Sequence, residues 1–197
     1  MKKQYPKATT ELIHNNPFQL LVATILGAQS TDAQVNKVLP SLFKKFRTPR
    51  DFTEADIETL KALIHSCGYF NQKARHIKAA AKKIQADYNG KTPASMNELV
   101  KLPGVGRKTA NIVLSYGFGR DEGIAVDTHV FRLSKRLGLS KARTPEKVER
   151  DLLRIIPKKD WGIINGSFIK HGRRVCTARH PKHSECILSD LCPSRDL

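Results

Sequence analysis

Two stretches of this chain have the residue types and spacing for chemistry. The first reads Leu102-Pro103-Gly104-Val105-Gly106-Arg107-Lys108-Thr109-Ala110 and sits between two helical patterns. Its glycines tolerate positive φ and let a backbone come close to a partner. A helix starting near Gly106 aims its free N–H groups and the positive end of its dipole at the turn, which makes the turn an anion site. Arg107 and Lys108 then occupy a first helical turn, where an exposed cation costs roughly 0.3–1 kcal/mol. Misplaced surface charge is one explanation; a phosphate that offsets the cost is the other, and two adjacent cations on a glycine hairpin favour it. The second stretch carries Cys176, Cys186 and Cys192, three of the four cysteines. In a reducing compartment such crowding points to a metal over disulfides, with burial as core residues the alternative. Cys67, far away in sequence, reads as a core residue. Asp127 stands where it can cap the helix that holds Val130, Phe131 and Leu133.

The elements that must position these groups are helical nearly throughout. Val35, Val38, Leu39, Leu42, Phe43 and Phe46 follow an i, i+3, i+4 rhythm behind Thr31 and Asp32. Ile57, Leu60 and Ile64 form a second stripe, and Ile77, Ala80, Ala81 and Ile84 a third, stopped by Asn89-Gly90. Ser95 with Glu98 has the pattern of a capping box. Thr144-Pro145-Glu146 supplies a cap, a proline at the first helical position and a first-turn acid before Val148, Leu152 and Ile155. Trp161, Ile164 and Phe168 mark a last stripe. Ile124 to Val126 alone reads as extended, too short for a sheet. The expected fold class is all-α, without repeats or low-complexity segments.

Composition narrows the partner. The 197 residues are 40% hydrophobic, enough for a core, and carry 35 Lys and Arg against 18 Asp and Glu, a net charge of +17. The excess is spread along the whole chain, which favours a polyanion, and nucleic acid is the commonest one. No run approaches the roughly 20 apolar residues of a membrane span. Met1-Lys2-Lys3 and the apolar run from Phe18 to Ala28 are separated by a long polar stretch, a poor signal peptide. The chain therefore reads as cytoplasmic, nucleoid-associated if bacterial.

The hairpin resembles the helix-hairpin-helix of the glycosylase superfamily named for that motif. Ile124-Ala125-Val126-Asp127-Thr128-His129-Val130 resembles its catalytic aspartate segment, and Leu26-Gly27-Ala28-Gln29-Ser30-Thr31-Asp32 its early helix and turn. Gly68-Tyr69-Phe70-Asn71-Gln72-Lys73-Ala74 resembles its DNA-wedging loop, and His171-Gly172-Arg173 leads into the cysteines as in the superfamily. Within the superfamily the pattern is similar to endonuclease III, over about Thr10 to Cys192. The resemblance implies two all-α lobes with DNA bound across a cleft: a six-helix barrel over residues 10–121, and a metal-cluster lobe from 1–9 and 122–197. The region before Thr10 is too short for the family's first helix, which would leave the second lobe less closed at that edge.

The resemblance also implies site roles. Lys108 would be the amine nucleophile, forming a Schiff base with deoxyribose and cleaving the strand by β-elimination. Asp127 would stabilise a cationic sugar and relay the lysine's proton. Gly104, Val105, Gly106, Arg107 and Thr109 would hold DNA, Gln29 would fill the space left by a flipped base, and Tyr69 would wedge the stack. Gln29 has an ordinary reading as an exposed polar residue at a helix end, and Tyr69 as a core aromatic. The family's cluster spacing falls on Cys176, His183, Cys186 and Cys192, with histidine where the family has its second cysteine. The expected cofactor is a four-iron, four-sulfur cluster with His183 as an atypical ligand, zinc being the alternative and His180 a competing ligand out of register. Arg173, Arg174, Arg179 and Lys182 would form a cationic rim. The implied activity is a DNA glycosylase and abasic-site lyase, most simply a monomer, acting on oxidised pyrimidines in duplex DNA. A monofunctional mismatch glycosylase of the same superfamily is the first rival. It would lack the lysine, and its adenine-specific form adds a C-terminal domain where this chain ends soon after Cys192. A non-catalytic DNA-binding module is the second rival, and a redox or zinc protein whose affinity for DNA is incidental is the third.

Overall fold

Nine consecutive residues, Phe18 to Leu26, are buried, a run with no polar face that only the middle of a helical assembly accommodates. They form helix α1 (Pro17–Leu26), started by Asn16, whose side chain accepts the Gln19 N–H, and by a proline in the first turn. The computed structural model describes residues 1–6 and 8–195, with ten α-helices and no strand among them. Contacts divide the chain into two compact units, Glu11–Arg120 on one side and Met1–Thr10 with Asp121–Leu197 on the other. The all-α expectation holds.

In the Glu11–Arg120 unit, α1 packs against α2 (Asp32–Lys45), α5 (Phe70–Asp87), α7 (Arg107–Ile112) and a π-helical turn, Val113–Gly117, that continues α7. Gly117 permits the last contact, since a Cβ there would lie 3.3 Å from Pro17. Helices α3 (Pro49–Glu54) and α4 (Ile57–Ile64) cover α5, and α6 (Met96–Leu99) leans on α7. Leu20, Leu39, Phe52, Leu60, Ile77 and Leu99 are sealed from solvent at the centre, each stabilising the unit by roughly 1.5–3 kcal/mol. Cys67 is also fully buried.

The caps show where local pattern suffices. Thr31 caps α2, and Asn89 and Gly90, with φ of 51° and 75°, end the chain's excursion past α5. Ser95 corrects the sequence reading: its hydroxyl donates to the Glu98 carboxylate at 2.6 Å and makes no cap bond to α6. The reciprocal capping box lies instead at Thr48 and Asp51, ahead of α3.

In the other unit, α8 (Thr128–Arg136), α9 (Pro145–Ile155) and α10 (Trp161–Arg174) enclose a core of Ile124, Val130, Leu133, Val148, Leu152 and Phe168. Thr144 caps α9 and Pro145 opens it. The N-terminal residues form turns, with Tyr5 N–H donating to Met1 O at 2.9 Å. They still close an edge of this unit. Tyr5 is buried with its hydroxyl 3.1 Å from His171 Nδ1, and Lys2 pairs with Asp160. Among the described residues no helix is long and apolar enough to cross a membrane.

Candidate functional site

The 102–110 hairpin closes through Val105 N–H to Leu102 O at 3.1 Å, with both side chains buried. Its two glycines do different jobs. Gly104 has φ +77°, and a Cβ there would sit 2.7 Å from His76 Cβ, so conformation and space both demand glycine. Gly106 has φ −89° and caps α7 from extended backbone. A Cβ on it would meet nothing within 4 Å. Neither backbone conformation nor space within the protein demands glycine at Gly106, where only a modest N-cap preference favours it; the tolerance of positive φ is used at Gly104 alone. Arg107 and Lys108 are exposed in the first turn of α7, and Thr109 is half-buried. The Lys108 amine bonds no group among the described residues.

The two turns expected to enter a DNA stack lie side by side. Gln29 (φ 54°) and Tyr69 (φ 58°) both occupy the left-handed region, which costs a non-glycine residue and recurs at functional sites. Both are exposed, Tyr69 to 64%, so Tyr69 is no core aromatic. A Cβ on Gly68 would stand 3.6 Å from Gln29 O, which makes the two turns neighbours. The buried Lys73, one turn along α5 from Tyr69, donates to Leu26 O at 2.7 Å and to Ser30 Oγ at 2.9 Å. Sequence reasoning gave Lys73 no role. The signal was present, since it shares the apolar register of Ile77, Ala81 and Ile84.

Asp127 belongs to the other unit. It caps α8, its Oδ1 accepting the Val130 N–H at 2.8 Å. The approach segment is held two and three residues before it, at Ala125 and Ile124. Ile124 N–H donates to the buried Glu149 at 3.3 Å, and the Asn165 amide donates to Ala125 O at 2.9 Å. The carboxylate is half-buried, with Oδ1 spent on the cap and Oδ2 free of partners among the described residues.

Cys176, His183, Cys186 and Cys192 line one cavity in the same unit, with His171 and Arg136. None of the three thiols is in a disulfide, and each is half-buried, unlike Cys67. His180 is exposed and does not line the cavity. His183 Nε2 is buried without a hydrogen-bond partner among the described residues, an orphaned lone pair or proton in a cavity that the three cysteines also line. N–H groups already face the sulfurs: Arg136 approaches Cys176 Sγ at 3.2 Å and Leu188 N–H approaches Cys186 Sγ at 3.4 Å. Among the described residues no three His, Cys, Asp or Glu side chains converge as ligands of a single ion. Three thiols and an imidazole set around a cavity, with donors aimed at sulfur, fit a sulfide cluster.

Helix α8 supports this loop through a row that sequence reasoning missed. Arg132 donates to Gly172 O and Cys176 O, both at 3.0 Å, and Arg136, one turn on, donates to Thr177 O at 2.6 Å and Ala178 O at 2.8 Å. Gly172 is glycine for this reason, as a Cβ there would stand 2.7 Å from His129 Nδ1 and 2.9 Å from Arg132. Two arginines four apart on an amphipathic helix were the available clue. His171, buried to 1% exposure, has its pKa pushed down by burial. Its Nδ1 lies 3.1 Å from the Tyr5 hydroxyl and its Nε2 lies 3.5 Å from Cys186 Sγ, so the ring bridges the N-terminal edge and the cysteine loop. Arg173, Arg174, Arg179 and Lys182 are exposed around the loop, Lys182 paired with Glu185 at 3.2 Å.

Comparison with known proteins agrees with this geometry. Residues 22–158 match the HhH-GPD superfamily base excision DNA repair proteins, and residues 176–192 match the iron–sulfur binding domain of endonuclease III. Endonuclease III of Synechocystis sp. is 50% identical over 98% of this chain and 89% of its own length. The Bacillus subtilis endonuclease III is 47% identical over 95% and 86%. A solved structure of a trapped endonuclease III–DNA covalent intermediate superposes with a TM-score of 0.93 at 47% identity, covering 98% of this chain and 91% of that one. A thermostable thymine-DNA glycosylase shares the fold at a TM-score of 0.83 and 22% identity, over 98% and 92%. The chain therefore belongs to the HhH-GPD superfamily of base excision repair proteins and, within it, to the endonuclease III family with its iron–sulfur domain.

Proposed function

We infer that this chain is a DNA glycosylase and abasic-site lyase of base excision repair, and we propose that it removes oxidised pyrimidines through Lys108. The observation that carries the assignment is an exposed amine without a bonding partner among the described residues, in the first turn of a helix whose capping glycine faces open space. A phosphate approaching the Gly104–Gly106 backbone finds the N–H groups and dipole of that helix start, with Arg107 beside it. Lys108, once it has given up its proton, attacks C1′ of the damaged nucleotide. The new C–N bond forms as the bond to the base breaks and takes its electron pair to the leaving base. Opening of the sugar gives the imine, loss of a C2′ proton follows, and the C3′–O bond breaks to cut the strand. The free Oδ2 of Asp127 is suited to stabilising positive charge at the sugar, because Oδ1 anchors the carboxylate on α8. Gln29 and Tyr69 would occupy the duplex where the base has left.

The cavity of Cys176, His183, Cys186 and Cys192 would hold a four-iron, four-sulfur cluster with His183 as the fourth ligand. A bound cluster supplies cross-linking of the loop, and an imidazole in place of a thiolate makes it one charge more positive, which raises its reduction potential. Donors spaced around a cavity favour such a body over one zinc ion, whose four ligands must meet at about 2.0–2.3 Å.

Incision of a duplex with one abasic site tests the activity directly. Cutting with an unsaturated aldehyde left on the 3′ end is expected, and binding should weaken by about 0.9 log units per log unit of salt for each phosphate neutralised. An intact duplex in the presence of tight binding would reduce the chain to a DNA-binding module.

A further inference from the structure

Helix α5 touches three parts of the proposed DNA surface. Tyr69 stands at its start, Lys73 grips the turn that bears Gln29, and His76 lies where a Cβ on Gly104 would be. Of these contacts the Lys73 bonds are the least expected. A lysine side chain with 4% exposure is rare, and burial pushes its pKa below the ordinary lysine value. Its partners are a backbone carbonyl at the last residue of α1 and one hydroxyl, with no carboxylate among them. Leu26 O and Ser30 Oγ bracket Gln29 in the chain, so both bonds fall on the one turn that carries the left-handed glutamine.

We propose that Lys73 is a positioning residue that locks the Gln29 turn to the Tyr69 turn, so that the two enter the DNA stack as one rigid unit. The proposal rests on the reading of Gln29 and Tyr69 as the residues that fill and wedge the duplex. Each is held in a backbone conformation disfavoured for its type, and such a conformation persists only when the surroundings over-determine it. Among the described residues, the exposed side chains of Gln29 and Tyr69 make no hydrogen bond or ring contact that would fix the turns. Lys73 provides the tie from beneath, through bonds reaching 43 to 47 residues along the chain. The lock should matter most when a stacked base must be extruded and least when the base is already missing.

The test compares two single-turnover rates in the whole protein: release of an oxidised pyrimidine from duplex DNA, and β-elimination at a preformed abasic site. Lys73→Met keeps the length and removes both bonds. Base release should fall about ten- to a hundredfold, the worth of hydrogen bonds to a charged group, while elimination changes less than about threefold. Fluorescence of 2-aminopurine opposite the lesion should lose its rise on binding, and Lys73→Arg should restore most of the rate. Should Lys73→Met fail to fold, Ser30→Ala removes one of the two bonds and should show the same selective loss, smaller in size. Equal loss of both steps together with a lower melting temperature, or no loss in either, would overturn the proposal. Gln29→Ala and Tyr69→Ala run alongside. A selective defect in them but not in Lys73→Met or Ser30→Ala sinks the lock alone, whereas no defect in any variant sinks the wedge reading and the lock with it.

Discussion

The two glycines of the hairpin should respond in opposite ways to alanine. At Gly104 the φ of +77° costs an L-residue about 1–2 kcal/mol. The new methyl would also sit 2.7 Å from His76 Cβ, an atom fixed to the α5 backbone that no rotamer change moves aside. Overpacking of this kind costs about 1–3 kcal/mol. Gly104→Ala should thus lose about 2–5 kcal/mol, lowering the melting temperature of a chain this size by roughly 4–20 °C. At Gly106 the backbone is already compatible with alanine and the space is empty. Gly106→Ala should melt close to the parent temperature, since a stiffer unfolded chain adds about 0.4–1 kcal/mol and the poorer N-cap on α7 costs about as much. Its defect should appear only with DNA, because the methyl stands where the phosphate must come. Calorimetry and titration of an abasic-analogue duplex at fixed salt read the two quantities separately, with a loss of affinity of about tenfold or more expected for Gly106→Ala. Parent-like DNA affinity in Gly106→Ala would refute the close backbone approach, and parent-like melting in Gly104→Ala would refute the packing against His76.

Further outcomes follow from the other unit and from the caps. Asp127→Asn keeps a good N-cap on α8, so the fold and DNA affinity should change little while base removal falls about 10²–10³-fold, as when one electrostatic stabiliser is lost; parallel loss of affinity and rate in a binding and excision series would mark the residue as structural. Arg136→Ala removes donors to Thr177 O, Ala178 O and Cys176 Sγ, and loss of iron to a chelator, followed by visible absorption, should quicken about tenfold or more. Asp51 accepts the N–H groups of Arg47 and Thr48, which hold its carboxyl below the ordinary aspartate range, the Arg47 bond contributing most. A depressed folded value means that its stabilisation is present above the unfolded pKa and disappears as pH falls through the folded one. The melting-temperature gap between the parent and Asp51→Asn should accordingly close on acidification, and a gap that stays constant as pH falls through the carboxylate range would contradict the cap bonds.

What could be read from the sequence was what depends on neighbours in the chain. Thr144-Pro145, Asp127 before Val130 and the glycine hairpin are local arrangements, and each is found in the structure where its residues indicated. Ser95 failed for a local reason too: its hydroxyl had a carboxylate within reach as well as a backbone N–H, and the carboxylate won. The left-handed backbone at Gln29 and Tyr69 left no trace in residue type, because neither residue favours that region. Lys73, Arg132 and Arg136 were passed over for a different reason. Their partners lie 40 or more residues away, and a charge on a helix reads as solvent-facing until the element it meets is known. The edge closed by Tyr5 and His171 is of the same kind, 166 residues apart.

Borohydride reduction of the protein mixed with an abasic duplex tests the central claim most directly. The parent chain should become covalently linked to DNA through a reduced imine, with the modified residue mapping to Lys108 by peptide mass. Lys108→Gln should give no linked product while still binding the duplex. A cross-link that persists at parental yield in Lys108→Gln, or that maps to another lysine, would contradict the assignment of this amine as the nucleophile.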